Sequence, residues 1–169
     1  MINPKDLLNF LKERRSIRTF KDTPIPDEEI EMILEAGRFC PSASNKQPWE
    51  FIVIKNKDII SRLASIAPYG RFISQAPVVI AIVGKIDQNP TWYIQDTTLV
   101  SMHMMLMAWA LGIGTCWVGS IDREKAKTIL GVAGYDFLLT VLPMGYYISE
   151  NIPLPPPRKD MAKIKRIIE

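Results

Sequence analysis

One histidine, His103, and two cysteines, Cys40 and Cys116, are few metal ligands and nucleophiles for a chain of 169 residues. A single imidazole excludes any multi-histidine metal site and leaves at most one histidine as catalytic base. The cysteines lie far apart and outside any C-x-x-C, which excludes a disulfide framework. Their apolar neighbours mark them as inert core thiols rather than nucleophiles. Long hydrophobic runs are also missing: the longest clean one, Met104 to Leu111, falls far short of the ~20 residues a bilayer span needs. Residues 1–15 mix acids and bases through their apolar positions, unlike a signal peptide. A cytoplasmic protein with reduced thiols and no membrane partner is expected. Charge of one sign is scarce too, with 21 Lys and Arg against 18 Asp and Glu. No basic stripe interleaved with aromatics accompanies that balance, so nucleic acid is not the expected partner.

What is present is an ordinary core. Apolar residues make up 47% of the chain, and a chain near 150 residues buries roughly two thirds of its unfolded surface. Asn3-Pro4 predicts a helix start, with Leu7, Leu8, Phe10 and Leu11 as its apolar stripe up to Arg14-Arg15. A second helix begins at Asp27-Glu28-Glu29 after Thr23-Pro-Ile-Pro26, with Ile30, Ile33 and Leu34 facing inward. Glu50–Ile54 reads as a strand and Asp58–Ala67 as a short helix. Val78–Val83, apolar without alternation, reads as a central strand buried on both faces. Ile94–Leu111 is a helix apolar all round, destined for a core or an interface. Thr115–Gly119 is a strand candidate, Asp122–Leu130 a helix closed by Gly131, and Leu138–Ile148 a last strand interrupted by Pro143 and Gly145. The order predicts a layered α+β or α/β domain. Ile152–Pro157 is a stiff, polyproline-like start to a tail that reaches away from its own core.

Several patterns carry chemistry or imitate it. Gly112-Ile-Gly114 follows a helix and precedes a strand, the reverse of the dinucleotide fingerprint, and reads as a helix end and tight connection. No G-x-x-x-x-G-K is present, so there is no P-loop. His103, among Met102, Met104 and Met105, reads as a packed or interface residue before a catalytic one. Arg14-Arg-Ser-Ile-Arg18 is richer: three guanidinium groups and a hydroxyl can donate to a phosphate, although Arg14 and Arg15 also suit a helix C-terminus. Pro41-Ser-Ala-Ser-Asn-Lys-Gln-Pro-Trp49 packs polar side chains between two stiffening prolines, either as a ligand loop or as a connection into the first strand.

Together with A-L-G-I-G-T-C-W-V-G at 110–119 and L-P-x-G-Y at 142–146, these segments resemble the FMN-dependent nitroreductase family in order and spacing along nearly the whole chain. The resemblance implies an α+β sandwich with a mixed central sheet flanked by helices, built as an intertwined homodimer with FMN at the interface. It divides the chain into an FMN-binding core at 1–152 and a tail at 153–169 that embraces the partner subunit. Arg14, Ser16 and Arg158 would hold the FMN phosphate, with Arg15 contributing mainly through its backbone and Arg18 facing the pyrimidine edge. Pro41, Ser42, Ala43, Asn45 and Gln47 would come from the other subunit. Val118, Gly119 and Ser120 would line the ring edge, with the backbone of Gly119 and Ser120 nearest the flavin N5. No side-chain catalyst and no metal is implied, because the flavin carries the redox chemistry.

The implied activity is NAD(P)H oxidation by ping-pong hydride transfer through flavin N5, with NADH or NADPH as reductant. The acceptor would be a small molecule such as a nitroaromatic or quinone. The alternative is an FMN-binding or sensing module without significant turnover. At 169 residues the chain is a short example, lacking the insertion that covers the substrate face in longer ones. Arg71 is the candidate for the basic residue before the second core strand, and Ser16, rather than an acid, points to the nitroreductase-like group.

Overall fold

The structure, a computed structural model, describes residues 2–169. Four strands, β1 (Trp49–Ile54), β2 (Val78–Gly84), β3 (Ile113–Thr115) and β4 (Phe137–Tyr146), form one sheet in the order β1-β2-β4-β3. Five helices surround it: α1 (Pro4–Glu13), α2 (Asp27–Arg38), α3 (Lys57–Ser65), α4 (Tyr93–Ala110) and α5 (Arg123–Leu130).

All seven residues of β2 are buried, and the period-two alternation of a strand divides them between two cores. Val78, Ile80 and Ile82 face Ile30 and Ile33 of α2 and Val100, Met104 and Ala108 of α4. Val79, Ala81 and Val83 face Ile60 and Leu63 of α3 and Ala126 of α5. A strand sandwiched this way has no wet face, which explains its unbroken apolar run.

Three expectations are corrected. The sheet is not mixed among its named strands: all three pairings are antiparallel, and the one parallel contact is an isolated bridge between Ser16 and Thr115. The strand expected at Thr115–Gly119 lies earlier, at Ile113–Thr115, because the chain leaves the edge there and touches the sheet again only at Val118–Val141. Pro143 and Gly145 do not interrupt the last strand. Pro143 lies opposite Val79 and Gly145 opposite Gly114, within an unbroken β4.

The helix ends follow the sequence. Asn3 Oδ1 accepts from Lys5 N at 2.9 Å, and Asp122 Oδ1 accepts from Lys125 N at 3.2 Å. Helix α1 has no buried residue, and its Leu7, Leu8 and Leu11 stand 44–51% exposed. Helix α4 is two-faced. Val100, Met104, Met105 and Ala108 are buried, whereas Ile94, Leu99, Met102 and His103 point outward. His103 is therefore not packed within its own chain. From Pro153 to Glu169 every residue is exposed, as the stiff proline segment predicts.

Candidate functional site

The segment after α1 is pressed onto the sheet edge by two facing glycines. A Cβ on Gly114 would lie 2.6 Å from Ile17 Cβ, and one on Gly145 would lie 2.8 Å from Phe20 Cβ. Gly114 and Gly145 are register partners, so β3 and β4 present a bare patch on which Ile17 and Phe20 pack. Ile17 N donates to Thr115 O at 2.9 Å and Lys21 N donates to Tyr146 O at 2.7 Å, fixing the segment at both ends. Gly114 thus serves close packing rather than the turn; of the pair Gly112 and Gly114, Gly112 has the left-handed φ, +73°.

With Ile17 and Phe20 turned inward, the polar residues between and before them are presented together. The Arg14 guanidinium is half-buried, and its Nη1 has no hydrogen-bond partner among the described residues. Burial holds it below its ordinary value, and repulsion from Arg15 and then Arg158 adds to the shift. Arg158 of the tail therefore lies within electrostatic reach of Arg14. Arg15 folds back so that Nη1 donates to Lys12 O at 2.6 Å and Arg14 O at 3.0 Å, closing the C-terminus of α1. Its Nε is buried and unpaired. Ser16 lies beside the Cys116 thiol, and Arg18 stacks over Phe72 with 5.9 Å from its guanidinium carbon to the ring centroid. Among the described residues none of these arginines has a carboxylate partner.

Buried guanidinium nitrogens without acceptors are costly unless an anion completes them. A phosphate, with several oxygens for charge-assisted donors, fits this cluster. Cys116 is 3% exposed, and burial pushes its thiol up despite the opposing pull of Arg18 and Arg14. Cys40 is likewise buried, with its thiol raised by burial and then by the charge of Asp96. Both are poor nucleophiles, as their sequence context suggests.

Beyond Cys116 the chain turns outward. Val118 is buried; its N–H donates to Val141 O at 3.2 Å and its carbonyl accepts from Thr140 Oγ1 at 3.0 Å. Val118 therefore anchors the turn and has no donor left for a ligand. The N–H groups of Gly119 and Ser120 form no hydrogen bond among the described residues. They border an open cleft of ≈ 620 Å³ whose other walls include Pro68, Ile66 and Arg123. Arg71 is exposed, next to the Phe72 on which Arg18 rests.

The 41–47 loop is a short 3-10 turn with backbone of unusual shape. Ser44, Asn45 and Gln47 have φ of 53°, 54° and 50°, left-handed conformations that cost of order 1–3 kcal/mol each without glycine. Side chains over-determine that shape. Gln47 N donates to Ser42 Oγ at 2.9 Å, and Gln47 Nε2 donates to Asn45 Oδ1 at 3.2 Å. Ala43 N donates to Asp96 Oδ1 at 3.0 Å. Pro41, Asn45 and Gln47 are exposed.

Sheet register separates this loop from the arginines. Trp49, where the loop enters β1, lies in register with Gly84 and so with Phe137. Thr115, the bridge partner of Ser16, lies opposite Met144. Phe137 to Met144 spans about 23 Å along β4, and β1 lies about 14 Å across the sheet from β3. The two segments occupy diagonally opposite corners, so one chain does not bring them to one small ligand. Asp96 and Asn89, which hold the loop, carry no motif; a charged residue inside an otherwise apolar helix was their only signal.

Fold and site together define an α+β sandwich with a cluster of unpaired arginines at one corner of its sheet and a polar loop tied by its own hydrogen bonds at the other. A family model described as the Nitroreductase family matches residues 11–67 and 67–146. The chain belongs to the nitroreductase family. A Methanothermobacter thermautotrophicus protein named "Putative NADH dehydrogenase/NAD(P)H nitroreductase" is 32% identical over 151 residues, covering 86% of this chain and 79% of its own. An FMN-dependent nitroreductase from Clostridium difficile is similar at a TM-score of 0.78 and 28% identity, over 86% of this chain and 94% of its own. A nitroreductase-like protein from Streptococcus mutans shares the fold at a TM-score of 0.89 over 98% of each chain, at 24% identity.

Proposed function

We propose that this chain binds FMN between two copies of itself and uses it to pass electrons from NADH or NADPH to a small acceptor such as a nitroaromatic or quinone. Family membership makes it an NAD(P)H-dependent oxidoreductase of nitroreductase type. The observation that carries the FMN reading is the buried, unpaired Arg14 Nη1 among Arg15, Arg158 and Ser16. FMN held there would supply the redox chemistry of a ping-pong hydride transfer between NAD(P)H and the acceptor.

The chain's own residues bind and orient. Arg14 and Arg158 neutralise the phosphate, Ser16 donates its hydroxyl to it, and Arg15 closes α1 so that the phosphate meets a fixed backbone. Arg18, braced on Phe72, holds a cation against the pyrimidine edge, where negative charge accumulates on reduction. Gly119 and Ser120 offer unengaged N–H donors to the ring edge nearest N5.

The loop Pro41–Gln47 of the partner subunit closes the site, and the diagonal separation of the two corners supports that exchange. The outward apolar faces of α1 and α4 supply the area for a homodimer. The core at 1–152 binds the cofactor, and the tail at 153–169 crosses to the partner. Two reduced, buried thiols suit a cytoplasmic enzyme.

Purified protein is expected to be yellow or to take up one FMN per chain. Anaerobic NADH or NADPH should then bleach the visible flavin band, and a quinone or nitroaromatic should restore it. Protein that neither carries nor takes up FMN overturns the reading. Bound FMN that neither reductant bleaches leaves a flavin-binding module instead.

A further inference from the structure

We propose that Asp96 is a positioning residue for the flavin: its buried carboxylate ties the start of α4 to the backbone of the 41–47 loop and holds that loop in its left-handed shape. The inference rests on the FMN reading above. Asp96 is 3% exposed and lies in the first turn of α4, where the helix dipole favours a negative charge. No cation pairs with it among the described residues. Its two oxygens divide the work instead: Oδ1 accepts from Ala43 N at 3.0 Å, and Oδ2 accepts from Asn89 Nδ2 at 3.1 Å. Asn89 is itself buried, and its Oδ1 accepts from Trp92 N at 3.3 Å just before the helix. A single chain of hydrogen bonds therefore runs from the α4 N-terminus through Asn89 and Asp96 to Ala43.

A carboxylate buried without a cation is expensive, and a neutral apolar residue would pack here at less cost. What the carboxylate does is fix Ala43 N next to three residues at φ between 50° and 54°. Consuming that N–H leaves the loop its exposed side chains, Asn45 and Gln47 among them, as the groups it can turn to a ligand. Because α4 turns its outer apolar face away from its own core, the same helix that meets the partner subunit also sets the loop the partner's flavin needs. Assembly and cofactor geometry are joined at one carboxylate.

The chemistry permits a swap test. Asp96→Asn turns a donor toward Asn89 Nδ2, and two donors then face each other. Adding Asn89→Asp reverses the polarity of that hydrogen bond and keeps acceptors for Ala43 N and Trp92 N. FMN affinity is measured by fluorescence titration of the apoproteins, together with hydrogen exchange of the 41–48 backbone before FMN is added. Asp96→Ala is expected to weaken FMN about tenfold or more and to unprotect Ala43, as loss of a charged hydrogen bond implies. Asp96→Asn should lie between, and the double variant should return both readouts to within about twofold of the wild type.

Dimer content and far-ultraviolet circular dichroism of each apoprotein separate positioning from a folding defect, which would lower all variants without rescue. Wild-type affinity in Asp96→Asn, or a double variant no better than the single one, overturns the positioning role while leaving FMN binding intact. Should Asp96→Ala fail to fold, the Asn variant and the swap still decide. A wild type that takes no FMN overturns the flavin reading, and the inference with it.

Discussion

A guanidinium nitrogen buried without an acceptor is the most informative atom in this protein. Arg14 is held below its ordinary value by burial and by two neighbouring arginines, so in the apoprotein it is a liability. Arg14→Ala is expected to leave the apoprotein as stable as the wild type or more so. The same change should weaken FMN about ten- to hundredfold, the worth of a charged hydrogen bond of about 1.5–3 kcal/mol. Thermal melts and FMN titration of the same preparations check both halves. A destabilised apoprotein with unchanged FMN affinity would move the phosphate site elsewhere.

Tyr146 carries a separate prediction at this scale. Its hydroxyl donates to Glu29 Oε2 at 2.6 Å, and that bond first, then burial, pushes it up to about 12. The fold prefers the neutral phenol, so the contribution is complete below the free tyrosine value of about 10. It is lost as pH rises through about 12. Denaturant midpoints should place wild type above Tyr146→Phe at neutral pH, with the gap closing across that alkaline window.

At the scale of elements, the glycine pair on β3 and β4 decides how the arginine segment meets the sheet. Gly114→Ala would bring a Cβ to 2.6 Å from Ile17 Cβ, with β3 fixed by its ladder on one side and the bridge to Ser16 on the other. We expect a loss of about 1–3 kcal/mol in denaturant unfolding, as overpacking produces. FMN affinity should fall with it, because Arg14 and Ser16 ride on the displaced segment.

Most elements were legible in the sequence. The caps at Asn3 and Asp122, the buried run of β2 and the long α4 depend on contacts within a few residues. Strand β3 was misread because Cys116 and Val118 look like strand residues, while the partner that ends the ladder, β4, lies more than twenty residues away. The antiparallel direction of the three strand pairings is beyond the sequence for a related reason: direction of pairing is a property of two segments, and neither carries it alone.

For the whole molecule, the faces that a single chain leaves uncovered matter most. Helix α1 has no fully buried residue in its own chain, with only Phe10 half-buried, and a ten-residue helix is marginal in water without packing. Leu99, 49% exposed beside Met102 and His103 on α4, marks the other uncovered face. Leu99→Glu is expected to shift the protein toward monomer in light scattering, with FMN lost in parallel because the proposed site takes the partner's 41–47 loop. A monomer that keeps FMN at full affinity would refute the shared site.

The residue types and their order determined by themselves that this is an α+β domain of the nitroreductase family. They also excluded a multi-histidine metal site and a C-x-x-C disulfide framework. Hydrophobic period, caps and ligand motifs are local, so they are written where they act. The tertiary structure alone decided that Arg14 has no partner, that Val118 has no donor to spare and that Asp96 holds the loop. It also decided that the arginine segment and the 41–47 loop stand at opposite corners of one sheet. Each of these depends on which distant segments share a neighbourhood, and burial and pairing between such segments exist only once the chain has folded.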